Sequence, residues 1–271
     1  MSGTPATIAV LGLGEAGGAL ARDLVTAGAV VRGYDPAVRA DEGIIDTSSE
    51  AEAAQGAGLV LSVNSATAAV DALRAGLAGT TGIWADLNTA SPGTKRELAK
   101  IAGDVPFTDI AIMAPVPGKG LRVPMLASGP AAEPTAALLR SLGASVEVMA
   151  DEAGLAAERK LLRSVFFKGM SAAVVEALEA ARAAGCEDWL HEIIVQELTN
   201  ADKSTVDRLV AGSYQHAVRR TTEMAAAADM LGELGVPANV AAASRDQLAR
   251  LSGSNGRSKA TSVPRLGEEL R

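Results

Sequence analysis

At 271 residues the chain can hold one large or two moderate domains that fold without disulfides, and its single cysteine, Cys186, rules out an internal disulfide and suits a reducing cytoplasm. A formal charge of -7, with acids and bases interspersed, leaves no electrostatic footprint for a phosphate backbone, so nucleic acid is not an expected partner. Although 48% of the residues are hydrophobic, Gly, Ser, Asp or Arg interrupts the apolar runs too often for a spanning helix, so a soluble protein with no membrane partner is expected.

The opening MSGTPATIAV has no basic segment leading into an apolar run, so no secretory signal is expected. From residue 7 to about residue 150, short apolar runs alternate with Ala-rich amphipathic segments. The runs predict strands at Ile8 to Leu11, Val30 to Tyr34, Leu59 to Val63, Gly82 to Asp86, Phe107 to Ile112, Pro124 to Ser128 and Ser145 to Met149. Continuous runs such as IAVLG and LVLSV suit strands buried on both faces, which predicts a mostly parallel, doubly wound α/β sheet. After Gly154 the pattern changes to one long helix of about thirty residues, and most of the remaining chain is Ala-, Leu- and Glu-rich without strand-like runs. The expected organisation is therefore a doubly wound α/β domain over residues 1–151, an all-helical domain over 152–252 and a polar, mobile tail over 253–271.

Where the first strand ends, Gly12, Gly14 and Gly17 match G-x-G-x-x-G. Gly12 permits a tight turn, Gly14 lets the backbone approach a pyrophosphate, and Gly17 lets helix and strand pack closely while the helix N-terminus faces the anion. A strand precedes the motif, a helix and second strand come after it, and Asp35 lies 21 residues beyond Gly14, where an acid binds the adenosine ribose. Together these predict a dinucleotide site formed by Gly12, Leu13, Gly14, Glu15, Ala16 and Asp35. A carboxylate at Asp35 accepts ribose hydroxyls and repels a 2'-phosphate, so NAD is preferred over NADP; Arg39 is read as a solvated arginine, although a guanidinium there can pair with that phosphate.

Within the long helix, Lys160, Ser164 and Lys168 recur every four residues and share a face beside Leu161, Leu162, Val165 and Phe166. Such a stripe is either an exposed helix face or the wall of a cleft, and this helix begins where the α/β domain ends, beside the place a nicotinamide would lie.

The segments VLGLGEAGGALARDLVTAG, ADLNTASP (residues 85–92) and GLAAERKLLRS resemble the N-terminal fingerprint, the D-x-S-T-x-x-P segment and the catalytic helix of the β-hydroxyacid dehydrogenase family, which includes 3-hydroxyisobutyrate and 6-phosphogluconate dehydrogenases. The resemblance covers nearly the whole chain and implies that Lys160 is the essential lysine, with Ser164 in place of the usual asparagine and Asn64 and Thr89 in cofactor-lining loops. The family's substrate clamp, D-x-P-V-S-G-G, is here Asp109 to Pro115, with Met113 at the serine position and Ala114 and Pro115 for the glycines. A Lys-Asp pair expected in a late helix appears as Thr222 and Glu223, with His216, Arg219 and Arg220 nearby. These variations are similar to a subgroup of generic NAD(P)-dependent oxidoreductases with its own C-terminal domain.

The resemblance implies reversible hydride transfer between a nicotinamide and a secondary alcohol of a small hydroxy acid or sugar acid. Lys160 is then the general acid and base, Ser164 holds the alcohol oxygen or orients the ammonium, Met113 and Ala114 border the substrate, and Lys168 and His216 supply positive charge for its acidic group. No metal is expected. Imine reduction stays open because Met113 and Phe167 can belong to a less polar pocket, although related imine reductases typically lack the lysine; a nicotinamide-binding scaffold without catalysis also stays open. The Ala-rich seams AAVVEALEAA and EMAAAADML predict a homodimer or larger assembly through the helical domain.

Overall fold

The apolar run that opens the chain becomes β1 (Thr7–Leu11), whose Ile8, Ala9 and Val10 are wholly buried. Successive strand residues face opposite sides of a sheet, and here both sides are covered. Ile8 and Val10 pack in a core with Leu20, Leu24 and Ile110, whereas Ala9 and Leu11 pack in a second core with Leu73, Trp84 and Leu98. Burying one such aliphatic side chain contributes about 1.5–3 kcal/mol, so the two-sided core accounts for why these strands carry unbroken apolar runs. The computed structural model describes residues 5–150 and 152–255 and divides after Ser164 into two compact units.

In the first unit β1 leads into α1 (Glu15–Thr26), β2 (Val30–Tyr34), β3 (Ile44–Asp46), α2 (Glu50–Ala54), β4 (Leu59–Ser62) and α3 (Ala69–Leu77). Next come β5 (Ile83–Asp86), α4 (Pro92–Ala102), β6 (Phe107–Ile112), β7 (Met125–Ser128), α5 (Ala132–Ser141) and β8 (Val146–Ala150). The strand order is β3-β2-β1-β4-β5-β6-β7-β8, parallel throughout except where β6 meets β7. Strand order reverses between β1 and β4, the position at which open α/β sheets bind ligands. All seven expected strands are present. The eighth, β3, escaped the sequence reading because it is a three-residue edge strand with only Ile44 buried.

The long helix α6 (Leu155–Ala183) begins in the first unit and runs 29 residues, matching the expected length. The compact first unit therefore extends past the expected boundary at residue 151 to Ser164. Its first turn explains this: Ala156 and Ala157 are buried and their amides donate to side chains of β7 and β6, Ser128 and Asp109.

The second unit contains α7 (Glu187–Thr199), α8 (Lys203–Gln215), α9 (Ala217–Glu233) and α10 (Asn239–Asn255). Its small core gathers Ala180, Leu231 and Ala241 with Met224 and Leu234. The Glu176 carboxylate caps α10 by accepting the amides of Val240 and Ala241 at 2.6 and 2.8 Å. Helix α10 continues to Asn255, three residues into the stretch expected as a tail, and residues 256–271 of that stretch lie outside the described residues. Among the described residues no helix is long and apolar enough to cross a membrane.

Candidate active site

The glycine loop joins β1 to α1, and its three glycines are constrained differently. Gly12 has φ +95°, and a Cβ there would lie 2.4 Å from the Val63 carbonyl oxygen. A Cβ on Gly17 would fall 1.8 Å from the Gly12 carbonyl oxygen, so both glycines are required by the protein's own packing. Gly14 has ordinary extended backbone, and a Cβ there would meet nothing within 4 Å. Nothing in the protein demands glycine at this position, which is what a loop left open for close backbone approach of a pyrophosphate requires. Gly14 is also the N-cap of α1 and offers no side-chain cap, so the first-turn amides, which have no intrahelical partner, are left to a ligand. The residues present fit a dinucleotide's phosphates.

Asp35 ties this loop to the end of β2. Its carboxylate accepts the Leu13 amide at 2.8 Å and those of Ala37 and Val38 at 2.8 and 3.0 Å. Leu13, expected in the dinucleotide site, thus has its amide held by Asp35 and its side chain buried in the core. Asp35 also borders a cleft of about 220 Å³ with Arg39, Asp46 and Thr47. Glu15 is exposed in the first turn of α1.

A larger cavity of about 380 Å³ opens at the C-terminal ends of the strands. It brings together Ala16 from α1, Asn64 after β4, Thr89 after β5, Met113 and Ala114 after β6, and Lys160 and Ser164 from α6. Seven sequence-predicted residues from five segments therefore share one cavity. Lys160 donates from Nζ to Thr89 Oγ1 at 2.9 Å. Burial holds its pKa below the ordinary 10.5, the Lys95 charge pushes the same way, and Asp109 opposes them. Asn64 donates to Ser62 Oγ at 3.1 Å. Beyond the sequence reading, Asn88 and Arg163 also line the cavity, and Ile112, Pro115 and Val116 extend its apolar wall.

Beneath the cavity lies a charged network that the sequence reading missed. Lys95 is 1% exposed, with Nζ 2.5 Å from Asp86 Oδ2 and 3.0 Å from Asp109 Oδ1. Asp109 Oδ2 accepts the Gly154 and Ala157 amides at 3.2 and 3.0 Å, and Ser128 Oγ accepts the Ala156 amide at 3.0 Å. Asp86 also accepts Asn88 Nδ2 at 2.6 Å; burial raises its carboxyl pKa, opposed chiefly by Lys95. The ion cluster thus fixes the start of α6, one turn before Lys160, to the strand whose loop carries Thr89. Its sequence signal was Lys95 at helical spacing with Leu98 and Ala102, the buried face of α4.

Lys168 and His216 belong to the second unit and are exposed. His216 links α8 to α9, Arg219 pairs with Glu223, and Arg220 donates to Ser213 Oγ at 3.3 Å. Thr222 Oγ1 faces the Val218 carbonyl.

Residues 7–119 match the NAD binding domain of 6-phosphogluconate dehydrogenase, and residues 181–251 match a domain of unknown function, DUF1932. An uncharacterized 28.5 kDa protein in the 7S RNA 5' region of Methanothermus fervidus is 31% identical over 143 residues, 53% of this chain and 55% of its own length. The match therefore spans about half of that curated relative. Among solved structures, the conserved protein MTH1747, of unknown function and described as structurally similar to 3-hydroxyacid dehydrogenases, is 30% identical over 93% of this chain and 98% of its own, with a TM-score of 0.60. A Streptomyces aurantiacus imine reductase shares the fold at 19% identity over 92% of this chain and 95% of its own, with a TM-score of 0.72. A reductive aminase from Aspergillus terreus, in complex with NADPH and ethyl levulinate, does so at 19% identity over 94% and 95%, with a TM-score of 0.75. With its glycine loop at the switch point of the sheet and both of these domains in sequence, the chain belongs to the β-hydroxyacid dehydrogenase family, in the subgroup that joins the 6-phosphogluconate dehydrogenase NAD-binding domain to a DUF1932 domain.

Proposed function

We propose that the protein is an oxidoreductase that prefers NAD over NADP and interconverts a secondary alcohol and its carbonyl in a small hydroxy acid or sugar acid, with Lys160 as general acid and base. The observation that carries this reading is the position of Lys160: a partly desolvated ammonium, 2.9 Å from Thr89 Oγ1, in a cavity shared with Ala16 of the glycine loop and with Asn64. The nicotinamide, when bound, supplies the hydride acceptor or donor. Lys160, when neutral, takes the hydroxyl proton during oxidation; when protonated, it returns a proton to the carbonyl oxygen during reduction. Burial lowers the cost of the neutral form.

Ser164, one turn further along α6 and on the same cavity, holds the alcohol oxygen or orients the Lys160 ammonium. Gly12, Gly14, Glu15 and Ala16 present the loop backbone to the pyrophosphate, and Asn64 and Thr89 border the cofactor. Met113 and Ala114 border the substrate. Assembly as a homodimer through the helical unit is part of the reading, because α7 and α8 bury none of their residues.

A panel of hydroxy acids, sugar acids and cyclic imines, followed by NADH and NADPH absorbance, tests the reading. Turnover of a hydroxy acid with NAD supports it. Because Asp35 also braces the loop, cofactor preference is best read as the ratio of NADH to NADPH affinity in the unaltered protein; tighter NADPH binding contradicts the NAD assignment. Imine reduction is the second reading, favoured by the apolar residues Ile112, Met113 and Val116 that line the same cavity as Lys160. Reduction of imines alone would establish it, and cofactor binding without any turnover would establish a scaffold.

A further inference from the structure

We propose that Asp46 is a cofactor-selecting residue, which disfavours a 2'-phosphate by holding Arg39 away from it and by adding a second carboxylate to the cleft. The inference rests on the nicotinamide-cofactor reading and extends it to a residue outside the glycine fingerprint. The cleft at the end of β2 is lined by Asp35, Arg39, Asp46 and Thr47. Asp35, which accepts the Leu13 amide, places it directly beside the glycine loop, where the adenosine ribose of a dinucleotide is recognised in this architecture. An arginine near that acid is the group that would accommodate a 2'-phosphate.

Arg39 is such an arginine, with a side chain 94% exposed, but its Nη1 lies 3.0 Å from Asp46 Oδ2. The two partners differ in rigidity. Asp46 ends β3 and pairs in register with Gly33 of β2, and the next residue, Thr47, donates both its amide and its hydroxyl to the Gly33 carbonyl at 3.0 and 2.8 Å. Asp46 Oδ1 also faces the Ala40 amide at 3.4 Å. The carboxylate is therefore anchored to the sheet, whereas Arg39 stands in the loop between β2 and β3. A 2'-phosphate that draws Arg39 toward itself competes with Asp46 for the guanidinium's charge, and it faces the carboxylates of both Asp35 and Asp46. A ribose with a free 2'-hydroxyl brings no such charge.

Binding of NADPH and NADH to the purified protein, followed by titration calorimetry, tests this without any substrate. In an Arg39→Ala, Asp46→Asn double-mutant cycle, Asp46→Asn is expected to tighten NADPH about tenfold when Arg39 is present and no more than about threefold when it is absent, the excess being the released arginine. NADH affinity is expected to stay within about twofold in all four proteins, which also verifies that they are folded. Equal effects of Asp46→Asn in both backgrounds, no effect on NADPH, or parallel losses for NADH and NADPH would overturn the role. The outcome is separate from the wild-type preference, because a protein that already favours NADPH can still show or lack the coupling.

Discussion

The two units of this chain bury their side chains to very different degrees. In the first, the central strands β1, β4, β5 and β6 are covered on both faces and even a lysine and two aspartates are sealed inside, paired with one another. In the second, α7 and α8 bury nothing, and Trp189, Val206, Leu209 and Val210 are exposed. The ion pairs show the same division: Lys95 is nearly inaccessible, whereas Arg219 and Glu223 are both more than half exposed on one turn of α9. A surface pair of that kind contributes about 0.3–0.5 kcal/mol, but stripping the partner from a buried charge costs about 3–5 kcal/mol. The lesson is that the first unit is internally complete and fixes its cavity by buried electrostatics, while the second presents apolar surface that a partner copy can cover.

The sharpest way to break this contrast is Lys95→Met, which leaves the Asp86 and Asp109 carboxylates buried without their cation. Urea unfolding is expected to show a loss of about 3–5 kcal/mol, and a loss under about 1 kcal/mol would mean that water or proton uptake relieves the cluster. Next in size is self-association. Replacing Trp189 and Leu209 together by glutamate is expected to weaken a homodimer at least tenfold, about 1.4 kcal/mol, by light scattering, while leaving NADH affinity unchanged. A wild-type protein that is monomeric at micromolar concentration would remove the dimer from the reading. Smaller in its structural consequence is Gly14→Val: its Cβ meets nothing in the protein, so stability is expected to stay within about 0.5 kcal/mol. NADH affinity nonetheless falls at least about tenfold because the side chain occupies the pyrophosphate's approach; unchanged affinity in a fluorescence titration would show that the phosphates lie elsewhere.

How much of this was legible beforehand depended on whether the information was local. The unbroken apolar runs gave seven strands because burial on both faces leaves a continuous signature, and the glycine spacing located the loop because turn geometry is written in adjacent residues. Strand β3 was invisible because three residues with one buried side chain carry almost no periodicity. Seven predicted residues meet in one cavity, but Asn88 and Arg163 emerged only when strand order and helix phase were known. The cluster of Lys95, Asp86 and Asp109 joins residues from a helix and two strands, and no single window of sequence contains it. Asp35 was read as a ribose acceptor, while its hold on the Leu13 amide depends on a hydrogen bond between residues 22 apart.

The central claim is that Lys160 moves the proton while the glycine loop holds the dinucleotide, and Lys160→Ala tests it most directly. On a hydroxy acid identified by the panel, the variant is expected to bind NADH within about twofold of wild type and to lose about 10²- to 10⁴-fold in the rate of hydride transfer. In the wild type, oxidation requires neutral Lys160, so its rate rises with pH through a pKa below the ordinary 10.5, and that limb vanishes in the variant. A variant that keeps both its kcat and its pH limb would contradict the mechanism.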